Sequence, residues 1–437
     1  MTVGREALPD SVHEKSLATA GLRSILIVAM NYHPEPTGIA RYVVGLAEMA
    51  SSAGAAVEVV TGVPHYPSWT IDARYRWRPR FREMIGGLPV KRLRHFVPAK
   101  QSAARRAVWE ATFTLNGLAN RPASRPDAIV AFTPCLGAGV VAARYAAKAG
   151  VPLGVIVQDL TGQAASQSGI VGGAAVSGIA SSVERWTLRR ADSVAIVSEG
   201  FRQQLSGYGI DESRIQRLPN WTHIPDPTRT PDQIRAQLSW DHSSFVVLHS
   251  GNMGLKQDLG NVIEAARLIE GQKDVLFILL GHGNQRANLK RQAADLSNLR
   301  FVDPLPDEMY SDVLAAVDVL LVNELPNVGE MSLPSKLTSY LASARPVIAA
   351  VGETGAAARE LTRATGASVR VDPGSPTELA AAIMSLKSMD PAERAAMGFA
   401  GKVYAEAELT RSAASKRAIN WLLHLQNSAA QRVSIRD

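Results

Sequence analysis

From Ile25 onward, short apolar runs alternate with stretches in which apolar residues return every three to four positions. Runs of the first kind read as buried strands and stretches of the second as amphipathic helices. The pattern predicts a strand over Ile25–Met30, a helix over Ile39–Ala53 that stops at Gly54, and a strand over Val57–Val60. Further strands are expected at Ala128–Phe132, Leu153–Val157 and Val194–Val197. The stretch RLPNWTHIPDPTRTPD, residues 217–232, breaks the rhythm with four prolines and reads as a linker. Beyond it the alternation restarts, with strands at Val246–Ser250, Val275–Leu280, Arg300–Val302, Val317–Val322, Val347–Ala350 and Ser368–Val371. Alternation of this kind predicts parallel sheets with helices on both faces. The expectation is an α/β chain of two doubly wound domains, residues 24–216 and 233–405, followed by a helical segment, 406–437. Ligands of such sheets bind at the carboxyl ends of strands, so a cleft is expected between the two domains.

Composition narrows the classes. The chain has 437 residues, 46% of them hydrophobic, enough for two or three cores. Cys135 is the single cysteine, which rules out an intrachain disulfide. No apolar run reaches the roughly eighteen residues of a membrane span. Residues 1–23 mix charges with polar residues and read as a mobile tail, and the chain as a cytoplasmic protein. The net charge of +7 is unevenly placed: Arg74–Arg106 holds eleven Lys/Arg and one Glu. Tyr75, Trp77, Phe81, Phe96 and the adjacent Trp109 are interleaved with them. Such a mixture suits an anionic membrane surface, or else is a solvated face; no nucleic-acid motif accompanies it.

Candidate chemistry sits in the loops after strands. HSGNMGLKQDLG, residues 249–260, ends a strand on Gly251, turns through Gly254 and presents Lys256 before a helix. Free N–H groups and a lysine there make an anion site, or an ordinary tight turn with a solvated lysine. LLGHGNQR ends another strand on Gly281 and Gly283. In NELPNVGEMSLPSKLTSYLASARPVIAA, residues 323–350, Ser332, Ser335 and Lys336 cluster before a helix, a second anion site, and Glu330 is an acceptor for a sugar hydroxyl. In the first half, NYHPEPTGIARY places Gly38 at a loop-to-helix turn with Arg41 on the first helical turn. TGVPHYPSW contributes His65, a general base or a structural histidine. IVQDLTGQ puts Gln158 and Asp159 at a strand end, for a sugar hydroxyl or as a helix cap. GAGVVAARYAAKAG matches G-x-G-x-x-A, but Thr133–Leu136 separates it from its strand, which argues against a dinucleotide site. No D-x-D, H-E-x-x-H, C-x-x-C, G-x-S-x-G or P-loop motif is present.

Taken in order, NYHPEPTGIARYVVGLAE, PHYPSW, LPNW, SGNMGLKQ, GHGNQR and SLPSKLTSYLASARPVIA resemble the retaining GT-B glycosyltransferases of family 4, in particular those that build exopolysaccharides such as colanic acid. The resemblance spans about residues 24–405. It implies a UDP- or GDP-linked sugar held as substrate by the second domain, an acceptor held by the first, and neither metal nor cofactor. Lys256 would contact the donor diphosphate, with Asn252 where the family often has arginine, and Ser335 and Lys336 in a diphosphate cradle. Glu330 stands within one position of the first glutamate of the family's acidic pair. Thr338 and Ser339 stand near the second, which would hold the ribose. Gln158 occupies the place of a histidine near the reacting carbon, with Asp159 after it. His65 and Arg41 would face an acceptor carried on a polyprenyl diphosphate at the inner face of the plasma membrane. Two alternatives stay open on sequence: a non-hydrolysing nucleotide-sugar epimerase, and a non-catalytic sugar-nucleotide-binding subunit.

Overall fold

The computed structural model describes residues 17–35, 38–100, 102–120, 122–160, 173–326 and 333–434. The chain divides into two compact units: Met1–Val197, Phe201–Pro219 and Ser412–Asp437; and Ser198–Gly200 with Asn220–Arg411. Each is built on one sheet.

The first unit carries β1 (Ser24–Val28), β2 (Ala56–Gly62), β3 (Arg80–Ile85), β4 (Leu88–Leu93), β5 (Ala128–Phe132), β6 (Leu153–Val157), β7 (Ser193–Ile196) and β8 (Ile215–Arg217). Their order is β3-β4-β2-β1-β5-β6-β7-β8, parallel except for β3. The central strands β5, β6 and β7 are buried along their whole length, as their unbroken apolar runs require. The β3–β4 hairpin lies inside the basic segment, where the apolar pattern gives no strand. Its first strand, RFREMI, alternates exposed and half-buried residues, so its signal has period two. Gly86 and Gly87 close the hairpin with φ of +59° and +83°, values an L side chain resists.

Three boundaries differ from those read in the sequence. Leu17 and Leu22 are fully buried, so the packed unit begins before residue 24; two leucines among polar residues carry no period. The proline-rich stretch is a connection only in its middle: Arg217 ends β8, and Pro231 opens the helix Pro231–Gln237. The chain end, read as one helical segment, divides. Helix Pro391–Glu408 belongs to the second unit, while Arg411–Ser434 returns to the first. There Trp421 donates its Nε1–H to Ser193 Oγ at 2.9 Å and covers Gly154, where a Cβ would lie 2.7 Å from its ring.

The second unit carries β9 (Phe245–Ser250), β10 (Val275–Leu280), β11 (Leu299–Val302), β12 (Val319–Asn323), β13 (Val347–Ala350) and β14 (Ser368–Val371). All pairs are parallel, in the order β11-β10-β9-β12-β13-β14. Two apolar layers cover its faces: Leu248, Ile278, Val322 and Leu337 on one, Val247, Phe277, Leu321 and Ile263 on the other. The order changes direction between β9 and β12, so the loops after those two strands flank the switch point where doubly wound sheets take ligands.

Candidate active site

The turn after β9 is held by backbone. Gly251 N–H donates to Leu280 O at 2.9 Å, and Met253 N–H to His282 O at 2.8 Å. The turn after β10 is stacked on it so closely that a Cβ at Gly281 would lie 2.0 Å from Gly251 O. One at Gly283 would lie 2.3 Å from Met253 O. Gly251 and Gly281 have φ of +116° and +134°. The two glycine-bearing loops thus form one welded ledge, and the glycines are there for backbone-to-backbone approach. Asn252 bonds Gln257 Oε1 at 3.2 Å, and the same oxygen accepts from Gly254 N–H at 3.0 Å. Lys256 follows on a short 3-10 turn with its side chain exposed.

The β12 loop locks onto this ledge. Asn323 donates to Gln257 O and Asp258 O, both at 2.9 Å, and Leu325 N–H donates to Lys256 O at 3.0 Å. Glu324 lies between these two anchors. It is 8% exposed, and its Oε2 has no hydrogen-bond partner among the described residues. Burial pushes its carboxyl up to about 7, against the pull of Lys336 and Lys256. No local pattern marks Glu324, since its burial is visible only in the fold.

Lys336 opens the helix Lys336–Ala342 and reaches back to the ledge. A Cβ at Gly251 would lie 3.7 Å from Lys336 Cε. Its ammonium stands 3.2 Å from His249 Nε2 and 3.4 Å from Nδ1. Burial pulls the Lys336 amine down to about 7, and Glu324 opposes the shift. Burial and Lys336 hold His249 well below its usual range, so it stays neutral and accepts the ammonium's N–H. The structure therefore brings Gly251, Lys256 and Lys336 together with Gly281. Ser335 is exposed just before the helix, and Ser339 half-buried within it, offering a hydroxyl where a carboxylate was looked for. Glu330 and Ser332 lie outside the described residues.

In the first unit, Gln158 is buried and Asp159 half-buried directly after β6. Gly38 turns into its helix with φ +67°, with the Tyr66 ring 3.9 Å from where a Cβ would be, and Arg41 is half-buried on that helix. His65 departs from the base role. It is 3% exposed, and both ring nitrogens are occupied. Nδ1 lies 2.9 Å from Val63 O and 3.3 Å from Glu35 Oε1, while Nε2 accepts from Trp109 Nε1–H at 3.3 Å. Burial lowers its pKa, against the pull of Glu35. Glu35 Oε1 also accepts from the backbone N–H of His65 and Tyr66, at 2.9 and 3.0 Å. His65 thus ties the β1 and β2 loops together. The G-x-G-x-x-A glycines likewise serve packing: a Cβ at Gly137 would lie 2.5 Å from Thr114 Oγ1, and one at Gly139 2.7 Å from Thr187 Cγ2.

The basic segment is partly internal. Arg92 is fully buried, with Nε donating to Glu83 Oε2 at 2.6 Å and another donor on His33 O. Tyr75 donates to Glu83 Oε1 at 2.6 Å. Nine of the eleven cations remain exposed, with Trp77 (89% exposed), Met84 and Phe96 among them. Just beyond, Val108, Leu115 and Leu118 stand out from the helix Ala103–Leu118. Among the described residues, no helix is long and apolar enough to cross a membrane.

Comparison with known proteins agrees with this architecture. The family described as "Glycosyl transferase 4-like domain" matches residues 37–221, and "Glycosyl transferases group 1" matches residues 244–388. The chain is 30% identical over 333 residues to the putative colanic acid biosynthesis glycosyl transferase WcaI of Escherichia coli (strain K12), across 73% of this chain and 81% of the relative. It is 26% identical over 245 residues to a GDP-mannose-dependent monoacylated alpha-(1-6)-phosphatidylinositol monomannoside mannosyltransferase of Corynebacterium glutamicum, across 55% of this chain and 60% of that one. Among solved structures, Anabaena Alr3699/HepE in complex with UDP-glucose has a TM-score of 0.62 at 17% identity, covering 91% of this chain and 99% of its own. Sucrose-phosphate synthase from Thermosynechococcus elongatus has a TM-score of 0.66 at 18% identity, covering 90% and 97%. The chain belongs to the family 4 glycosyltransferases, with the two Rossmann-like domains of the GT-B fold.

Proposed function

We propose that the protein moves a sugar, with retention, from a UDP- or GDP-linked donor to an acceptor carried on a polyprenyl diphosphate, in the synthesis of an exopolysaccharide or cell-surface glycan. The observation that carries the reading is the placing of Lys336 against Gly251, on the ledge that also presents Lys256. Glycosyl transfer leaves a nucleoside diphosphate on which negative charge grows. Cations already in place stabilise that charge as it develops, with no reorganisation at the moment of reaction. Two lysines supply this without a metal ion, which fits the lack of a D-x-D pair. Retention then follows from attack on the face the diphosphate leaves, with the leaving phosphate taking the acceptor's proton, so no protein nucleophile is required.

The relative from Escherichia coli, named for colanic acid biosynthesis, supports the exopolysaccharide setting. The exposed cations and aromatics between Arg74 and Arg106 support a peripheral seat on the anionic inner face of the plasma membrane, where such an acceptor would lie. A second reading, a sugar-nucleotide-binding subunit without catalysis, is favoured by one observation: Thr338 and Ser339 stand near where the family's ribose-holding carboxylate is expected.

The test is incubation with radiolabelled UDP- and GDP-sugars and a membrane lipid extract, in excess EDTA. Labelled lipid is expected from at least one donor. Donor binding without product favours the subunit, and epimerised free donor would overturn the transferase.

A further inference from the structure

Glu324 is an acidic side chain at the donor ledge that lies outside the family's motifs. Its backbone fixes it: its own N–H donates to Ala350 O at 3.0 Å, and Leu325 N–H donates to Lys256 O at 3.0 Å. The carboxyl group is therefore held at the carboxyl end of β12, and both Lys256 and Lys336 act on it electrostatically. Yet its buried Oε2 has no partner among the described residues. Buried carboxyl oxygens are ordinarily bonded, and an unpartnered one on which two lysines act points to a ligand. The ligand that suits two lysines is anionic, and an ionised carboxylate would repel it. A protonated carboxyl would instead offer an O–H donor.

We propose that Glu324 is a donor-binding residue that acts as a carboxylic acid, donating its O–H to an oxygen of the nucleoside diphosphate between Lys256 and Lys336. The proton comes from solvent as the nucleotide enters. This rests on the nucleotide-sugar reading above. Two charged groups act on the carboxyl, Lys256 on the β9 loop and Lys336 on the helix after the β12 loop, and His249 lies against Lys336. His249 remains neutral throughout. The approach of a dianionic group favours the protonated form of both Glu324 and Lys336. Glu324 thus joins the lysines as a third donor and does not cancel one of them. Before nucleotide enters, the carboxyl is already near the balance point, raised to about 7 by burial.

The test is infrared difference spectroscopy on the full chain, with and without UDP or GDP, at pH 7.5, beside binding isotherms. Nucleotide binding is expected to raise the C=O band of a protonated carboxylic acid at the expense of a carboxylate band, and Glu324→Gln is expected to abolish that change. Glu324→Leu, which cannot donate, weakens diphosphate binding at least tenfold, and Glu324→Gln recovers most of that loss through its amide N–H. A carboxyl band unchanged by nucleotide, or Leu binding as tightly as Gln, overturns the proposal. The wild-type spectrum decides without any variant, so a misfolded mutant does not rescue the idea. If neither nucleotide binds the wild type, the nucleotide-sugar reading itself has failed.

Discussion

The Lys336 ammonium stands 3.2 Å from Nε2 of His249, a histidine that is 1% exposed at the end of the strand leading into the Gly251 turn. A neutral imidazole positions the lysine without cancelling its charge. A carboxylate in that place would form an ion pair and compete with an incoming anion. The pairing keeps a cation in place and available, as charge stabilisation in a transition state requires.

The same contact sets a pH dependence. The Lys336 amine is pulled down to about 7 by burial, so its charge is present below pH 7 and lost as pH rises through that value. Glu324, raised to about 7, is protonated over the same low range. Both changes disfavour an anionic donor at higher pH. kcat/KM, which reports the free enzyme, is expected to fall above about pH 7. Lys336→Arg, whose charge is permanent, should make the alkaline fall shallower, leaving the part that Glu324 contributes. A wild-type profile level to pH 9 would refute this.

The ledge makes a sharper structural demand at Gly281. An alanine there would place a Cβ 2.0 Å from Gly251 O, in a residue with φ +134°. Backbone has to move, and with it the turn that carries Lys256. Displacement of about 1 Å typically costs about 10²-fold in rate. Gly281→Ala should therefore lose about that much kcat/KM, with the loss also visible in nucleotide affinity. Unchanged kinetics would show that the two loops are not welded as described.

His65 gives a prediction of the opposite kind. Its ring links Val63, Glu35 and Trp109 and leaves no nitrogen for a substrate. Beside it His95 packs edge-on at 4.9 Å, its pKa driven down to about 3 by burial. His65→Ala removes a buried ring and its hydrogen bonds, a loss of about 2–3 kcal/mol in stability. Denaturant unfolding should show that loss, while the pH dependence of kcat/KM in the folded variant stays that of wild type. A variant of normal stability that lacks one limb of the pH profile would make His65 a base after all.

How far the sequence was legible follows from range. Strands β5, β6 and β10 are continuous apolar runs, and their bounds in the structure are those of the pattern. The β3–β4 hairpin was hidden because its alternating arginines read as charge, not as period. The return of Trp421 to the first unit is a contact across more than 200 residues, which no local pattern encodes. At the site, Gly251, Lys256 and Lys336 were legible as candidates because glycine-bearing turns and lysines next to helix starts suit an anion, but their closeness to one another is a long-range contact that no local pattern shows. Glu324 was not, since a glutamate becomes notable only once it is known to be buried. His65 stayed open between a base and a structural histidine for the same reason: burial and partners decide a histidine's role, and sequence shows neither.

The exposed part of the basic segment should bind anionic membrane. Arg76, Arg78, Arg80 and Arg82 are exposed, with Trp77 between them. Each cation near such a surface contributes roughly 1 kcal/mol, screened beyond about 8 Å at physiological salt. Wild type should sediment with anionic vesicles at low salt, less at high salt, and not with neutral ones. Replacing those four arginines with serine should abolish most of this. Binding that ignores lipid charge, or a quadruple mutant that binds equally well, would leave the patch as a solvated face.

The central claim is that Lys256 and Lys336 hold the diphosphate of a nucleotide sugar. The most direct measurement is calorimetric binding of UDP and GDP beside uridine and guanosine, in wild type, Lys256→Ala and Lys336→Met, followed by kcat/KM with the donor that responds. The account predicts that wild type binds one diphosphate far more tightly than its nucleoside. Each variant should lose most of that difference while keeping its nucleoside affinity, and kcat/KM should fall about 10²–10³-fold. Variants that bind the diphosphate as wild type does, with kcat/KM unchanged, would contradict it.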